Sequence, residues 1–119
     1  MRHRLAGKQL GRPTDQRMAL LRGIVSALLW YGKVDTTVTR AKEARPLAEK
    51  MVSLAREDTL HHRREARRFL NDRDLVGHLF TRVGPQYRER AGGYSRIVRI
   101  GVRRGDSAET ARLELVDYE

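Results

Sequence analysis

At 119 residues the chain has the length of one domain with a single modest core, and a 39% hydrophobic content makes that core thin. Its 25 Lys and Arg against 15 Asp and Glu leave a net charge of +10, a field that concentrates polyanions and makes nucleic acid the leading partner class ahead of a membrane surface. With no cysteine, disulfides, thiolate metal sites and cysteine nucleophiles are excluded, and the longest nearly apolar run, Ile24 to Tyr31, falls far short of the ~20 residues of a membrane span.

Residues 1–13 carry Arg2, Arg4, Lys8 and Arg12 with no acid and no apolar period. They predict an extended basic N-terminal arm that is disordered alone and orders on a polyanion. No apolar stretch follows Met1-Arg2-His3-Arg4, so mature sequence is expected there and not a secretory signal. Thr14 after Pro13 suits an N-cap, and Met18, Leu21, Ile24, Val25, Leu28 and Leu29 form a helical stripe up to Gly32. Arg17 and Arg22 lie off that stripe and continue the charge of the arm.

Val34, Thr36 and Val38 alternate in a short strand from Lys33 to Val38. Thr39 is then placed to cap a second helix along Ala44, Leu47, Ala48, Met51, Val52 and Ala55, with a kink expected at Pro46, which lacks an amide hydrogen. Asp58 or Thr59 caps a weak third helix carrying Leu60, Ala66, Phe69 and Leu70. Asp72 caps a fourth with Leu75, Val76, Leu79, Phe80 and Val83, closed by Gly84-Pro85.

The segment from Arg90 to Arg104 holds five arginines and no acid. Within it Val98, Ile100 and Val102 alternate with Arg99, Gly101 and Arg103, the period of a half-buried strand. Arg103-Arg104-Gly105-Asp106-Ser107 supplies turn chemistry, and Ala111, Leu113 and Leu115 resume the period, so a hairpin is expected. Pairing Val102 with Ala111, Ile100 with Leu113 and Val98 with Leu115 keeps both apolar rows together and sets Arg99 opposite Glu114. A slip by two residues would oppose Arg99 to Arg112, two like charges. The favoured register leaves Arg99 and Arg103 on a wet, cationic face. It places Arg96 on the apolar side, which calls for a bulge after Gly93 or an exit of the arginine toward a partner.

Catalytic signatures are absent: the chain has no phosphate-binding glycine loop, no zinc-protease helix motif and no nucleophile elbow. His61 and His62 are adjacent on a helix and point about 100° apart, which suits a surface pair better than a metal chelate. Glu43, Glu49 and Glu65 are interleaved with cations and read as solvated helix-face ion pairs. Turn geometry accounts for Arg104-Gly105-Asp106. Arg63, Arg64, Arg67 and Arg68 recur at helical spacing and, with the arm and the hairpin, supply the multiple cations that phosphate binding requires. Tyr94 is placed either to stack on an exposed base or to cover the sheet end, and packing is the favoured role.

Met1-Arg2-His3-Arg4, Gly11-Arg12, Leu20-Leu21-Arg22, Thr36-Thr37, Ala41-Lys42-Glu43, Leu60-His61, Arg63-Arg64, Gly92-Gly93-Tyr94-Ser95-Arg96, Arg103-Arg104-Gly105-Asp106 and Glu114-Leu115-Val116 run nearly end to end in one order. As a series they resemble the family of the seventeenth protein of the bacterial large ribosomal subunit. The departures are Ser95 where that family usually has threonine, Ala44 for a leucine, and Glu109 and Arg112 for less polar residues. The resemblance implies a compact α+β domain that binds large-subunit ribosomal RNA on the subunit surface near the nascent-chain exit, with no catalytic role.

Together these readings predict an α+β fold of four helices packed with a small three-stranded mixed sheet that includes a C-terminal hairpin. Residues 1–13 form the basic arm and residues 14–119 a single RNA-binding domain. The expected RNA contacts are Arg2, His3, Arg4, Lys8, Arg12, Arg17, Arg22, Lys42, Arg63, Arg64, Tyr94, Arg96, Arg99, Arg103 and Arg104. The expected partners are large-subunit ribosomal RNA and neighbouring ribosomal proteins in the bacterial cytoplasm, with no cofactor, metal, membrane or small-molecule substrate. The competing classes are a helix-turn-helix built on helices three and four across Asn71-Asp72, and a nuclease using His61 and His62.

Overall fold

The stripe of Leu21, Ile24, Val25, Leu28 and Leu29 is buried along one face of α1 (Thr14–Tyr31) in a computed structural model that describes residues 14–119. Gly32 ends that helix. Its N–H donates to the Leu28 carbonyl at 2.7 Å with φ at +81°, and a Cβ there would lie 2.5 Å from the Tyr118 ring, so both backbone and space demand glycine. The Gly32 carbonyl accepts from the Leu115 N–H at 2.9 Å, tying the end of α1 to the sheet.

β1 (Lys33–Thr37) runs straight into α2 (Val38–Ala55), and the cap is Thr37 instead of the expected Thr39. A cap must itself be extended, and Thr37, the last strand residue, meets that condition with φ −73° and ψ 154°, its hydroxyl accepting from the Arg40 N–H. Helix α2 is uninterrupted at Pro46, where a kink or restart was expected. Pro46 and Lys42 are exposed, so the carbonyl left without a helix donor faces water, while Ala41, Ala44, Ala48, Val52 and Ala55 bury a continuous small-residue face.

α3 (Leu60–Leu70) is capped by Thr59, whose hydroxyl accepts from the His62 N–H at 3.1 Å, and it stops at Asn71 in the left-handed conformation with φ 56°. Asp72 caps α4 (Arg73–His78), accepting from the Asp74 and Leu75 N–H groups at 3.0 and 3.2 Å. The same run continues as a π turn over Leu79–Val83 and a 3-10 turn over Gly84–Tyr87. All five expected apolar residues of this fourth segment are buried. Gly84 lets it press on the end of α2, since a Cβ there would stand 2.1 Å from the Ala55 carbonyl oxygen.

The sheet order is β1, β3 (Glu109–Leu115), β2 (Ser95–Val102), with β3 in the middle. Both pairings are antiparallel, so the sheet is antiparallel throughout and not mixed. Ala111, Leu113 and Leu115 face the helices and are buried. The hairpin register departs from the expected one. Ser95 lies opposite Leu115, Ile97 opposite Leu113 and Arg99 opposite Ala111, while Arg96 and Val98 lie opposite Glu114 and Arg112 on the open face. A bulge at Ile100, between Arg99 and Gly101, shifts the last pairs. Val98 is therefore on the open face and 44% exposed, Ile100 sits in the bulge at 52%, and Val102, opposite Glu109 on the side of Ala111, is 67% exposed, so the faces expected for Val98 and Arg99 are exchanged. Alternation in sequence defines two faces without saying which one is buried, and that choice is made by a polar anchor at Ser95.

Beyond the sheet end, Tyr87 is buried, donates its hydroxyl to the Val116 carbonyl at 2.6 Å and meets Tyr94 edge-on with ring centroids 5.6 Å apart. Burial pushes the Tyr87 phenol up to about 12.

Val98→Asp is expected to cost at most about 1 kcal/mol, the scale of a strand-propensity change on an exposed edge. Leu113→Asp, which buries a carboxylate in the core, should cost several kcal/mol, and urea unfolding of the two variants distinguishes these outcomes. A second expectation concerns Tyr87. Because the fold favours the neutral phenol, its contribution is complete below an unfolded-state value near ~10 and is lost as pH rises through about 12. Thermal melts across that window should fall more steeply for the wild type than for Tyr87→Phe, which at neutral pH is less stable by about 1 kcal/mol because the hydrogen bond to Val116 is missing.

Candidate nucleic-acid interface

The hairpin is aimed by a polar cluster at its base. Ser95 is buried, and its N–H and hydroxyl donate to Glu49 Oε2 at 3.1 and 2.8 Å. Arg45 completes the cluster by donating from Nε to the Ser95 hydroxyl at 3.2 Å and from Nη2 to the Ser95 carbonyl at 3.0 Å. Glu49 is thus more than the solvated ion-pair partner expected from its neighbours, because it fixes the first residue of β2 against α2. Tyr94, one residue earlier, is 2% exposed, and its hydroxyl accepts from Arg56 Nη1 at 3.2 Å. Tyr94 is a packing residue and leaves the set of candidate base-stacking contacts.

From that base the candidate arginines extend outward, and most carry a partner. Arg96 pairs with Glu114, Arg99 with Glu109 at 3.0 Å, and Arg103 donates two N–H groups to Asp106. Two hydrogen bonds, from the Arg103 guanidinium and then from the Ala108 N–H, hold the Asp106 carboxyl down to about 2. Arg112, bonded to Asp35 at 2.8 Å on the open face that also carries Arg96 and Glu114, holds that carboxyl below its usual range. In place of the expected purely cationic face, ion pairs stand on both faces of the hairpin and at its turn, and Arg104 alone of these hairpin arginines has no partner among the described residues. Solvent-exposed pairs of this kind are weak, so an incoming phosphate can replace the carboxylate at small cost.

The helical arginines divide in the same way. Arg22 donates from Nε to the Phe69 carbonyl and lies over the Phe69 ring at 5.5 Å, fastening α1 to α3. Arg63 grips Asp58 through two bonds of 2.6 and 2.8 Å and stands over the Phe80 ring at 5.2 Å; the two bonds lower the Asp58 carboxyl. Arg17 is half-buried on α1 and Lys42 is exposed on α2. Arg64 joins Arg63 at a cleft of about 280 Å³ between α3 and α4, together with Arg67 and Arg73. Arg73 does not stand out in the sequence as an expected contact, and Arg67 stands out only as part of a run. A signal for both is nonetheless present: Leu60, Arg64 and Arg67 share one face of α3, and Arg73, Val76 and Gly77 share the facing side of α4 across the Asn71-Asp72 turn. Arg2, His3, Arg4, Lys8 and Arg12 lie outside the described residues.

Other candidates are engaged elsewhere. His62 Nδ1 sits 2.9 Å from the Glu57 carbonyl and His61 approaches Glu65 at 4.0 Å. Among the described residues no three His, Asp or Glu side chains converge on a metal position, and no helix is long and apolar enough to cross a membrane. α4 is six residues long and buries Leu75 and Val76, which leaves little of it to read a DNA groove.

The family described as ribosomal protein L17 matches residues 20–116, taking in most of α1, all of α2, the cleft and the hairpin. The chain belongs to the ribosomal protein L17 family. Its relatives include the large ribosomal subunit protein bL17 of Clostridium acetobutylicum, 55% identical over 92% of this chain and 96% of that protein. The bL17 of Dictyoglomus thermophilum is 49% identical over 98% of this chain and all of its own length, and that of Clostridium perfringens is 52% identical over 92% and 96%. The L17 proteins are structural and not enzymes. Within this member of the family, Ser95→Ala should cost about 1–3 kcal/mol by leaving Glu49 and Arg45 without the hydroxyl. Ser95→Thr, which keeps the hydroxyl, should cost less, and the urea midpoints of the two variants measure the difference.

Proposed function

We propose that this protein is a structural component of the bacterial large ribosomal subunit in the cytoplasm, where it binds and stabilises large-subunit ribosomal RNA beside neighbouring ribosomal proteins. The observation that carries this reading is the near full-length identity, 49–55%, to relatives named as large ribosomal subunit proteins. The distribution of charge supports it. Arg64, Arg67, Arg73 and Arg104 are exposed and have no side-chain partner among the described residues, and the weakly held hairpin ion pairs add cations that phosphates can recruit. Residues 14–119 act as one RNA-binding domain, and the arm of residues 1–13 adds Arg2, Arg4, Lys8 and Arg12, with His3 beside them. No group in this arrangement needs to donate or accept a proton, because the work is electrostatic neutralisation and shape.

Removing the arm while keeping Pro13 and Thr14 should leave the melting temperature within about a degree or two, since the buried stripe of α1 begins only at Leu21. Affinity for large-subunit ribosomal RNA should fall. Its dependence on salt should flatten by ~0.7–0.9 in the slope of log K against log salt for each phosphate that the arm no longer neutralises, or about three units for all four cations. Full-length and truncated chains compared across a salt series test this, and an unchanged slope would remove the arm from the interface.

A further inference from the structure

We propose that the cleft between α3 and α4 seats one single-stranded nucleotide of the bound RNA, its phosphate among Arg64, Arg67 and Arg73 and its base on the apolar floor of Leu60, Val76 and Gly77. This rests on the RNA-binding reading and adds to it a position and a chemistry. Three features of the cleft carry it. The first is charge without counter-charge: three exposed arginines converge from two helices, no carboxylate lines the cleft, and none of the three has a side-chain partner among the described residues. Several other surface arginines are paired, as in Arg99 with Glu109 and Arg68 with Glu65, whereas three unpaired ones share this cleft, so the site holds mutual repulsion that an anion relieves.

The second feature is the floor. Leu60 is 64% exposed at the start of α3, and a Cβ built on Gly77 meets no atom within 4 Å, so the cleft offers open apolar surface beside its arginines, with Val76 buried behind it. A site for phosphate alone has no use for that surface, whereas an unstacked base presents a face to it and can also lie against a guanidinium plane. The third feature is size and stiffness. At about 280 Å³ the cleft is near the lower limit of small-molecule sites, ~300 Å³, which suits one nucleotide and is too small for a duplex. Its wall is preset, because Arg63 is locked by Asp58 on one side and by the Phe80 ring on the other.

Gly77→Leu separates base seating from charge. A Cβ at position 77 meets no atom within 4 Å, leucine is a better helix former than glycine, and the substitution occupies the floor while removing no arginine. The full-length protein is titrated with an adenosine tetraribonucleotide, with a short RNA duplex and with inorganic phosphate at matched ionic strength, following backbone amide resonances. The tetranucleotide should shift Arg64, Arg67, Arg73 and Gly77 and bind about tenfold more tightly than phosphate. Gly77→Leu should lose about tenfold for the tetranucleotide and nothing for phosphate, and Leu60→Ser should do the same should the first variant fold poorly. Arg64→Ala with Arg67→Ala and Arg73→Ala should lose both ligands. Equal tetranucleotide binding by Gly77→Leu and wild type, tighter binding of the duplex, or shifts confined to other surfaces would overturn the proposal. Filter binding to large-subunit ribosomal RNA keeps the two readings apart. Full affinity in both cleft variants sinks the cleft alone, whereas no binding by the wild type sinks the ribosomal function.

Discussion

The hairpin's orientation depends on one polar cluster, the grip of the half-buried Glu49 and Arg45 on the buried Ser95. A serine with its N–H and hydroxyl both buried must find acceptors, since each unmade bond costs about 1–3 kcal/mol, and Glu49 Oε2 receives both. Once Ser95 faces α2, the pleat dictates that Ile97 faces the core opposite Leu113 and that Arg96 and Val98 face water. Arg45, one turn earlier on α2, closes the cluster by taking the serine carbonyl, so the first residue of β2 is held by side chains of a different element before any strand pairing is counted. The outer ends of the candidate interface, Arg99, Arg103 and Arg104, are placed by that anchor.

A second constraint is how the protein tolerates a charge of +10 in a small fold. It does so by partition. Cations whose position matters to the fold are given aromatic or carbonyl contacts, as with Arg22 on Phe69 and Arg56 between Tyr94 and the Arg88 carbonyl. Cations along the hairpin, Arg104 excepted, are matched with carboxylates that hold them weakly. A third group, Arg64, Arg67 and Arg73, is left unmatched at the mouth of one cleft. Repulsion within that group opposes folding, and the core formed by α1, α2 and β3 must exceed it in the absence of a polyanion.

Much of the fold was legible because its determinants are local. The α1 stripe, the Asp72 cap and the apolar residues of the fourth segment depend on spacing and on side chains within one turn, and all appear where expected. Thr37 took the cap from Thr39 because β1 runs into α2 without a loop, a tertiary fact invisible in the threonines themselves. Two further losses share a cause. Val98, Ile100 and Val102 define an alternation as regular as that of Ala111, Leu113 and Leu115, but only hydrogen bonds across 46 residues, between Glu49 and Ser95, decide which row is buried. Arg73 was not legible as a site residue because its neighbours across the cleft come from α3, and the turn at Asn71 that brings the two helices together depends on a left-handed residue whose direction cannot be read from spacing.

The exposure of Val98, Ile100 and Val102 then raises the question of why an edge strand carrying them does not simply pair with another copy. β2 is an edge strand, and a long flat apolar edge is a template for association. This edge is neither flat nor uncharged. The bulge at Ile100 breaks its register in the middle of the row, Gly101 adjoins it with φ at +156°, and Arg96, Arg99, Arg103 and Arg104 stand along and beyond it. A second copy aligning on this edge would meet the same arginines and the same bulge, so repulsion and mismatch both act against pairing while leaving the surface open to a polyanion. The cations that attract a polyanion to the hairpin also act against pairing of its apolar edge with another copy.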